Sequence, residues 1–125
     1  MNAELFYKEE AFKIIGLCMA VHRELGHGFK EIVYKDALEL IFQQNDISYE
    51  REKEYNIVFR NVILPHKFYA DFVVSDKIIV EIKAVVGLIE EHTAQTLNYL
   101  KVSGNKLGIL VNFGRMQLEY KRLVF

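Results

Sequence analysis

The run KIIVEIKAV, residues 77–85, reads as a buried strand interrupted by Glu81 and Lys83. Residues two apart in a strand share a face, so Lys77, Ile79, Glu81 and Lys83 form one side and Ile78, Val80 and Ile82 the other. The preceding run FYADFVV carries one acid, Asp71. A turn at Ser75-Asp76 makes the two runs a hairpin, with residue 71 expected opposite about 80 and residue 73 opposite about 78. Asp71 then lies within direct or diagonal reach of Glu81 across the ladder. Two adjacent carboxylates repel, and a divalent cation compensates them. Hard ions such as magnesium take oxygen ligands, commonly one or two carboxylates with waters and substrate phosphate oxygens. Lys83 beside them could hold a water or stabilise a developing oxyanion. The plainer reading of the same residues is a half-solvated strand face carrying a Glu–Lys pair.

Other residues add to this set. GHGFKEIVY contains Gly28-x-x-Glu31-x-x-Tyr34, and EEHTAQTLNYLKVSG places Gln95 and Tyr99 four apart on one helix face. Each has a plain alternative: Glu31 as a first-turn complement to the helix dipole, Gly28 as a loop residue, Tyr34 as a packing residue with a hydrogen-bonded hydroxyl, Gln95 as a solvated helix residue. The arrangement Asp71…Glu81-x-Lys83 resembles the active-site pattern of the PD-(D/E)xK nuclease superfamily, with Ala70 where the pattern's name has proline. Gly28-x-x-Glu31-x-x-Tyr34 resembles the naming motif of its GxxExxY branch. That likeness runs from about residue 10 to the end and takes in ADFVVSDKIIVEIKAV, HTAQTLNYLK and GILVNFG. Gln95 and Tyr99 resemble the Gln-x-x-x-Tyr element of exonuclease-like members.

The resemblance implies a restriction-endonuclease-like αβββαβ core, an α/β (α+β) fold with a mixed central sheet, here with an extra N-terminal helix and a C-terminal strand. It implies magnesium or manganese held by Asp71, Glu81, the backbone carbonyl of Ile82 and Glu31. Lys83 would position or activate the attacking water, Gln95 would orient Lys83 or a phosphate, and Tyr99 would support it, with Tyr34 and Gly28 in the motif around Glu31. The reaction would be metal-assisted phosphodiester hydrolysis with DNA or RNA as substrate.

The elements that must position these residues follow from periodicity. Residues 8–25 form a helix with apolar side chains at Phe12, Ile15, Met19 and at Ile14, Cys18, Val21, Leu25, a wide stripe. Gly26 and Gly28 stop it. A second helix runs from about Lys30 to Gln44, with Val33, Ala37, Leu40 and Ile41 as its expected inner stripe. The period then becomes two: strands at 47–59 and 62–74 joined by a tight turn at Arg60-Asn61, a third strand from Lys77 to about Ala84, a helix over 90–104 closed by Gly104, a strand over 106–113 and a last strand in MQLEYKRLVF. The only proline, Pro65, suggests an edge or irregularity in the second strand. The order α-α-β-β-β-α-β-β implies a mixed sheet with helices packed on it.

Composition narrows the classes. At 125 residues the chain is read as one domain, 1–125, with 51% hydrophobic and 26% charged residues, ordinary globular values. A formal net charge of -1 excludes a basic arm, so nucleic-acid binding would rest on local positive charge, with Lys30, Lys35, Lys101, Lys106 and Arg115 as dispersed candidates. The single cysteine, Cys18, excludes an intramolecular disulfide and a cysteine-rich zinc site. The N-terminal run lacks a signal-peptide layout and no apolar run approaches membrane-spanning length, so the expectation is a soluble cytoplasmic protein. His22, His27, His66 and His92 show no ligand spacing, and His92, within HTAQ, is the one placed to face the site. Phosphate-loop and serine-elbow motifs are absent. Two readings remain: a Mg2+- or Mn2+-dependent nuclease, with a homodimer as a plausible assembly, or a catalytically silent nucleic-acid-binding or protein-partner-binding module on the same fold.

Overall fold

The structure is a computed structural model that describes residues 7–125; the first six residues of the expected 1–125 unit lie outside the described residues. Helix α1, Lys8–Leu25, carries Glu9 and Glu10 in its first turn and Arg23 in its last, charges that complement the helix dipole. Ala11, Ile14, Ile15, Cys18 and Val21 face the core. Phe12 and Met19, expected in the stripe, lie 65% and 41% exposed, so the buried face is narrower than the apolar pattern. Gly26, at φ 72° and ψ -171°, takes a positive-φ conformation open mainly to glycine, and the helix ends there.

Helix α2, Glu31–Gln44, turns a different face inward from the one its apolar spacing suggested. Tyr34, Leu38 and Phe42 are fully buried, while Leu40 is 55% exposed and Ala37 and Ile41 only flank the core. Two neighbouring stripes both have helical spacing. The aromatic one wins because it fills volume: Phe42 meets Phe72 edge-on at 5.4 Å and Tyr34 stacks on Phe113 at 4.7 Å.

The strands are β1 (Tyr49–Phe59), β2 (Val62–Val74), β3 (Ile78–Lys83), β4 (Leu107–Asn112) and β5 (Glu119–Val124), with helix α3 (Glu90–Ser103) crossing from β3 to β4. They form one sheet in the order β1-β2-β3-β4-β5, antiparallel except for the β3–β4 pair. This is the mixed α+β core that the sequence resemblance implies. Arg60 and Asn61 take φ 49° and 64°, the mirror-image turn whose twist suits a two-residue hairpin. Around Pro65, β2 has only β1 as a partner, and the β1–β2 register shifts between Asn56 and Val58.

Helices α1 and α2 cover one sheet face, over Phe72, Val74, Ile78, Val80 and Ile82. Helix α3 covers the other, where Leu100 packs with Phe68, Ala70, Val73 and Ile79. The first hairpin changes faces along its length. Tyr49, with Phe72 and Val74, belongs to the first core, whereas Tyr55 and Ile57, with Phe68 and Ala70, belong to the second. Strict alternation would keep each of these sets on one side. The break falls at Glu52, a non-glycine strand residue at φ 55°. Among the described residues no helix is long and apolar enough to cross a membrane.

Candidate active site

The β2–β3 hairpin differs by one residue from the expected register. Phe72 pairs with Val80, Val73 with Ile79 and Val74 with Ile78, rather than 71 with 80 and 73 with 78. The connection uses three residues, with Lys77 N–H donating to Val74 O at 3.1 Å, so the ladder slips by one. The slip sets Asp71 level with Glu81. Pairing stops at Phe72–Val80, and beyond it the Asp71 side chain takes over a backbone partner: Ile82 N–H donates to Asp71 Oδ2 at 2.7 Å. A residue's N–H and C=O leave an extended strand on the same side, so the Ile82 carbonyl also faces Asp71.

Asp71 and Glu81 are both buried, 8% and 5% exposed. Glu81 Oε1 is the buried side-chain oxygen without a hydrogen-bond partner among the described residues. Burial, and then the negative charge of Asp71, hold the Glu81 carboxyl well above the usual carboxylate range. Asp71 is compensated from another direction. Lys35, one turn into α2, places Nζ 2.9 Å from Asp71 Oδ1 and 2.7 Å from Glu52 Oε1. The same ammonium lies 3.9 Å from Glu31 Oε1. Burial opposes its charge, but the hydrogen bonds to Glu52 and Asp71 outweigh burial and raise the Lys35 pKa. Glu31 opens α2 and is half-buried. Burial and then Asp71 raise its carboxyl, while Lys35 and Lys83 pull the other way.

Lys83 ends β3, half-buried, and its Nζ makes a long contact of 3.5 Å to Gln95 Oε1 on α3. Tyr99, one turn further on, stacks on Phe68 with ring centroids 4.2 Å apart and planes 6° from parallel. Burial, then the charges of Glu81 and Asp71, raise its phenol pKa.

The remaining expected residues serve the frame. Tyr34 Oη donates to Gly26 O at 2.7 Å and accepts from Phe29 N–H at 3.2 Å, fastening the loop that carries Gly28, at φ 109°, into Glu31. His92 Nδ1 accepts from Ile89 N–H at 3.1 Å and caps α3. His22 Nε2 lies 2.8 Å from Arg115 O. Sequence reasoning missed Glu52 and gave Lys35 no specific part. The spacing Glu31–Lys35 was a legible helical ion-pair signal. Glu52 is one of several alternating charges in YEREKEY, with nothing in the run to single it out.

Among the described residues no three acidic, histidine or cysteine side chains are gathered closely enough to form a ready metal site. The donors still fit a hard divalent ion. They are all oxygens, one of them is buried and unpartnered, and a cation, Lys35, already sits on Asp71.

A five-stranded mixed sheet flanked by helices, with an acid pair and a lysine where two strands part, defines a restriction-endonuclease-like domain. The chain belongs to the PD-(D/E)XK nuclease superfamily, whose family model matches residues 8–123. Among solved structures it is similar to the crystal structure of SSO0001, at 24% identity and a TM-score of 0.61. That match covers 75% of this chain and 50% of the other, so the chain spans about half the length of that relative, and the likeness is one of fold. No functionally curated protein matches the chain.

Proposed function

We propose that this chain is a metal-dependent nuclease that hydrolyses phosphodiester bonds of DNA or RNA, of the GxxExxY type within its superfamily. The observation that carries the reading is the buried, unpartnered Glu81 oxygen beside Asp71 where β2 and β3 separate. A structural ion pair would satisfy both acids. This pair leaves one oxygen without a partner, a costly arrangement that a bound cation relieves.

Asp71, Glu81, Glu31 and the Ile82 carbonyl would hold magnesium or manganese, which when bound supplies an activated water and charge stabilisation at the phosphate. Lys83, on the strand face shared with Glu81, orients the attacking water, and Gln95 limits where its ammonium can point. Tyr99, its ring fixed on Phe68, would support Gln95 from the same helix face. Burial of both acids keeps bulk water from screening them, so together they would attract a divalent cation strongly.

The test pairs metal-binding calorimetry with cleavage assays on single- and double-stranded DNA and RNA. Wild type is expected to bind Mn2+, Asp71→Asn to lose that binding, and Lys83→Ala to keep binding but lose cleavage by about a hundredfold or more. Equal cleavage by wild type and Lys83→Ala removes Lys83 from the mechanism. Absence of metal binding with nucleic acid present favours the silent binding module.

A further inference from the structure

Lys35 forms a cluster that the nuclease reading does not explain. Its side chain is only 10% exposed, yet it comes from α2, outside the strands that carry the acids. An ammonium has three donors. Two point at Asp71 and Glu52, at 2.9 and 2.7 Å, and the nearest further acid is Glu31 at 3.9 Å. Glu81 receives none of them, and its Oε1 is left without a partner. Lys35 thus links Asp71 and Glu52 directly and approaches Glu31, while Glu81 stands level with Asp71 across the hairpin. One ammonium neutralises Asp71 but cannot reach both members of the acid pair.

The two partners of Lys35 differ. Asp71 is nearly enclosed, whereas the Glu52 side chain is 47% exposed. Glu52 also sits at the left-handed backbone position where the first hairpin changes faces, which turns its carboxylate toward α2. The lysine can therefore leave Asp71 without losing all compensation, because Glu52 can hold it at the more exposed side.

We propose that Lys35 is a resident counter-ion that competes with the metal: its ammonium holds Asp71 in the metal-free protein, and metal loading transfers it to Glu52. This rests on the metal-dependent reading above. It makes Lys35 and Glu52 positioning residues that set metal affinity without being ligands. Lys35 Nζ lies 2.9 Å from Asp71 Oδ1, so a divalent ion on the same carboxylate would meet that positive charge at close range, and the lysine weakens metal binding unless it moves toward Glu52. A charge-assisted hydrogen bond of this kind corresponds to about a ten- to hundredfold change in dissociation constant.

The experiment is calorimetric titration of Mn2+ into the intact chain. Lys35→Gln is expected to bind Mn2+ about ten- to hundredfold more tightly than wild type. Removing any nearby positive charge would strengthen cation binding to some degree, so the decisive variant is Lys35→Gln/Glu52→Gln. It removes both partners of the ion pair, leaves the net charge unchanged and avoids stranding Glu52. Tighter binding by this double variant, by about tenfold, supports the transfer. Affinity equal to or weaker than wild type in the double variant overturns it, because a merely structural lysine would lower affinity by loosening the site. Asp71→Asn separates the two levels of failure. Asp71-dependent binding in wild type with no tightening in the double variant refutes the competition alone. Binding that is absent in wild type, or that survives Asp71→Asn, refutes the competition and the metal reading together.

Discussion

Replacing Glu81 by glutamine is expected to stabilise the metal-free protein at neutral pH, although it removes a residue assigned to the metal. Glu81 is 5% exposed and its Oε1 has no hydrogen-bond partner, while Asp71 adds a second negative charge beside it. Glutamine keeps the shape, carries no charge and brings donors toward Asp71. Relieving a buried unsatisfied polar group is worth about 1–3 kcal/mol. For a chain of this size, that is roughly 3–5 °C in Tm per kcal/mol. The pH dependence is equally specific. Burial first, and Asp71 second, raise the Glu81 pKa above its ordinary 4.5, so the folded state holds that proton more tightly than the unfolded state. The stability contributed by the raised group is fully present below the unfolded value and is lost as pH climbs through the folded one. Wild type should therefore fall behind Glu81→Gln above pH 4.5, by up to about 1.4 kcal/mol per pH unit, until the folded pKa is passed. Urea unfolding followed by circular dichroism, with a chelator present, at pH 5, 6, 7 and 8 measures the gap. A gap that shrinks with rising pH, or a glutamine variant less stable than wild type at neutral pH, would refute the account of Glu81 as an uncompensated buried acid.

Three further outcomes follow from other parts of the structure. Tyr34→Phe removes the hydroxyl that bridges Gly26 and Phe29 and should cost about 1–3 kcal/mol in urea unfolding, with metal affinity per folded molecule falling far less than in Asp71→Asn. Gly114→Ala would drive a methyl group into the backbone of Val85, in the loop after Lys83, and should lower stability by about 1–3 kcal/mol or prevent folding; a thermal melt unchanged from wild type would contradict the close approach. Burial pushes the Cys18 thiol up to about 12, so labelling by a thiol reagent at pH 8 should occur only as fast as the protein unfolds, and rapid labelling of the folded chain would place Cys18 wrongly.

The order of elements was legible because each has a local cause. Helical spacing marks 8–25, the left-handed Arg60-Asn61 pair closes the first hairpin, and Gly104 at φ 78° caps α3. The central chemical pattern is local too: Glu81 and Lys83 share a face in any strand, and Gln95 and Tyr99 share one in any helix. Those spacings, with Asp71 one strand earlier and the Gly28-x-x-Glu31-x-x-Tyr34 run, carry the resemblance to the superfamily.

The tertiary structure decided what those residues experience. A three-residue turn in place of two slides β2 along β3, brings Asp71 level with Glu81 and frees its carboxylate to take the Ile82 amide. Apolar periodicity named one inner face for α2, but the aromatic volume of Tyr34 and Phe42 against Phe113 and Phe72 turned another inward, and that rotation delivers Lys35 to Asp71. Glu52 joins the site only because the backbone reverses hand at that residue, which no side-chain pattern records. Periodicity is a property of neighbours along the chain, and it specifies which side chains share a surface. Which surface is buried, and which distant ammonium finds which carboxylate, depends on packing between elements and long-range electrostatics, which exist only once the chain has folded.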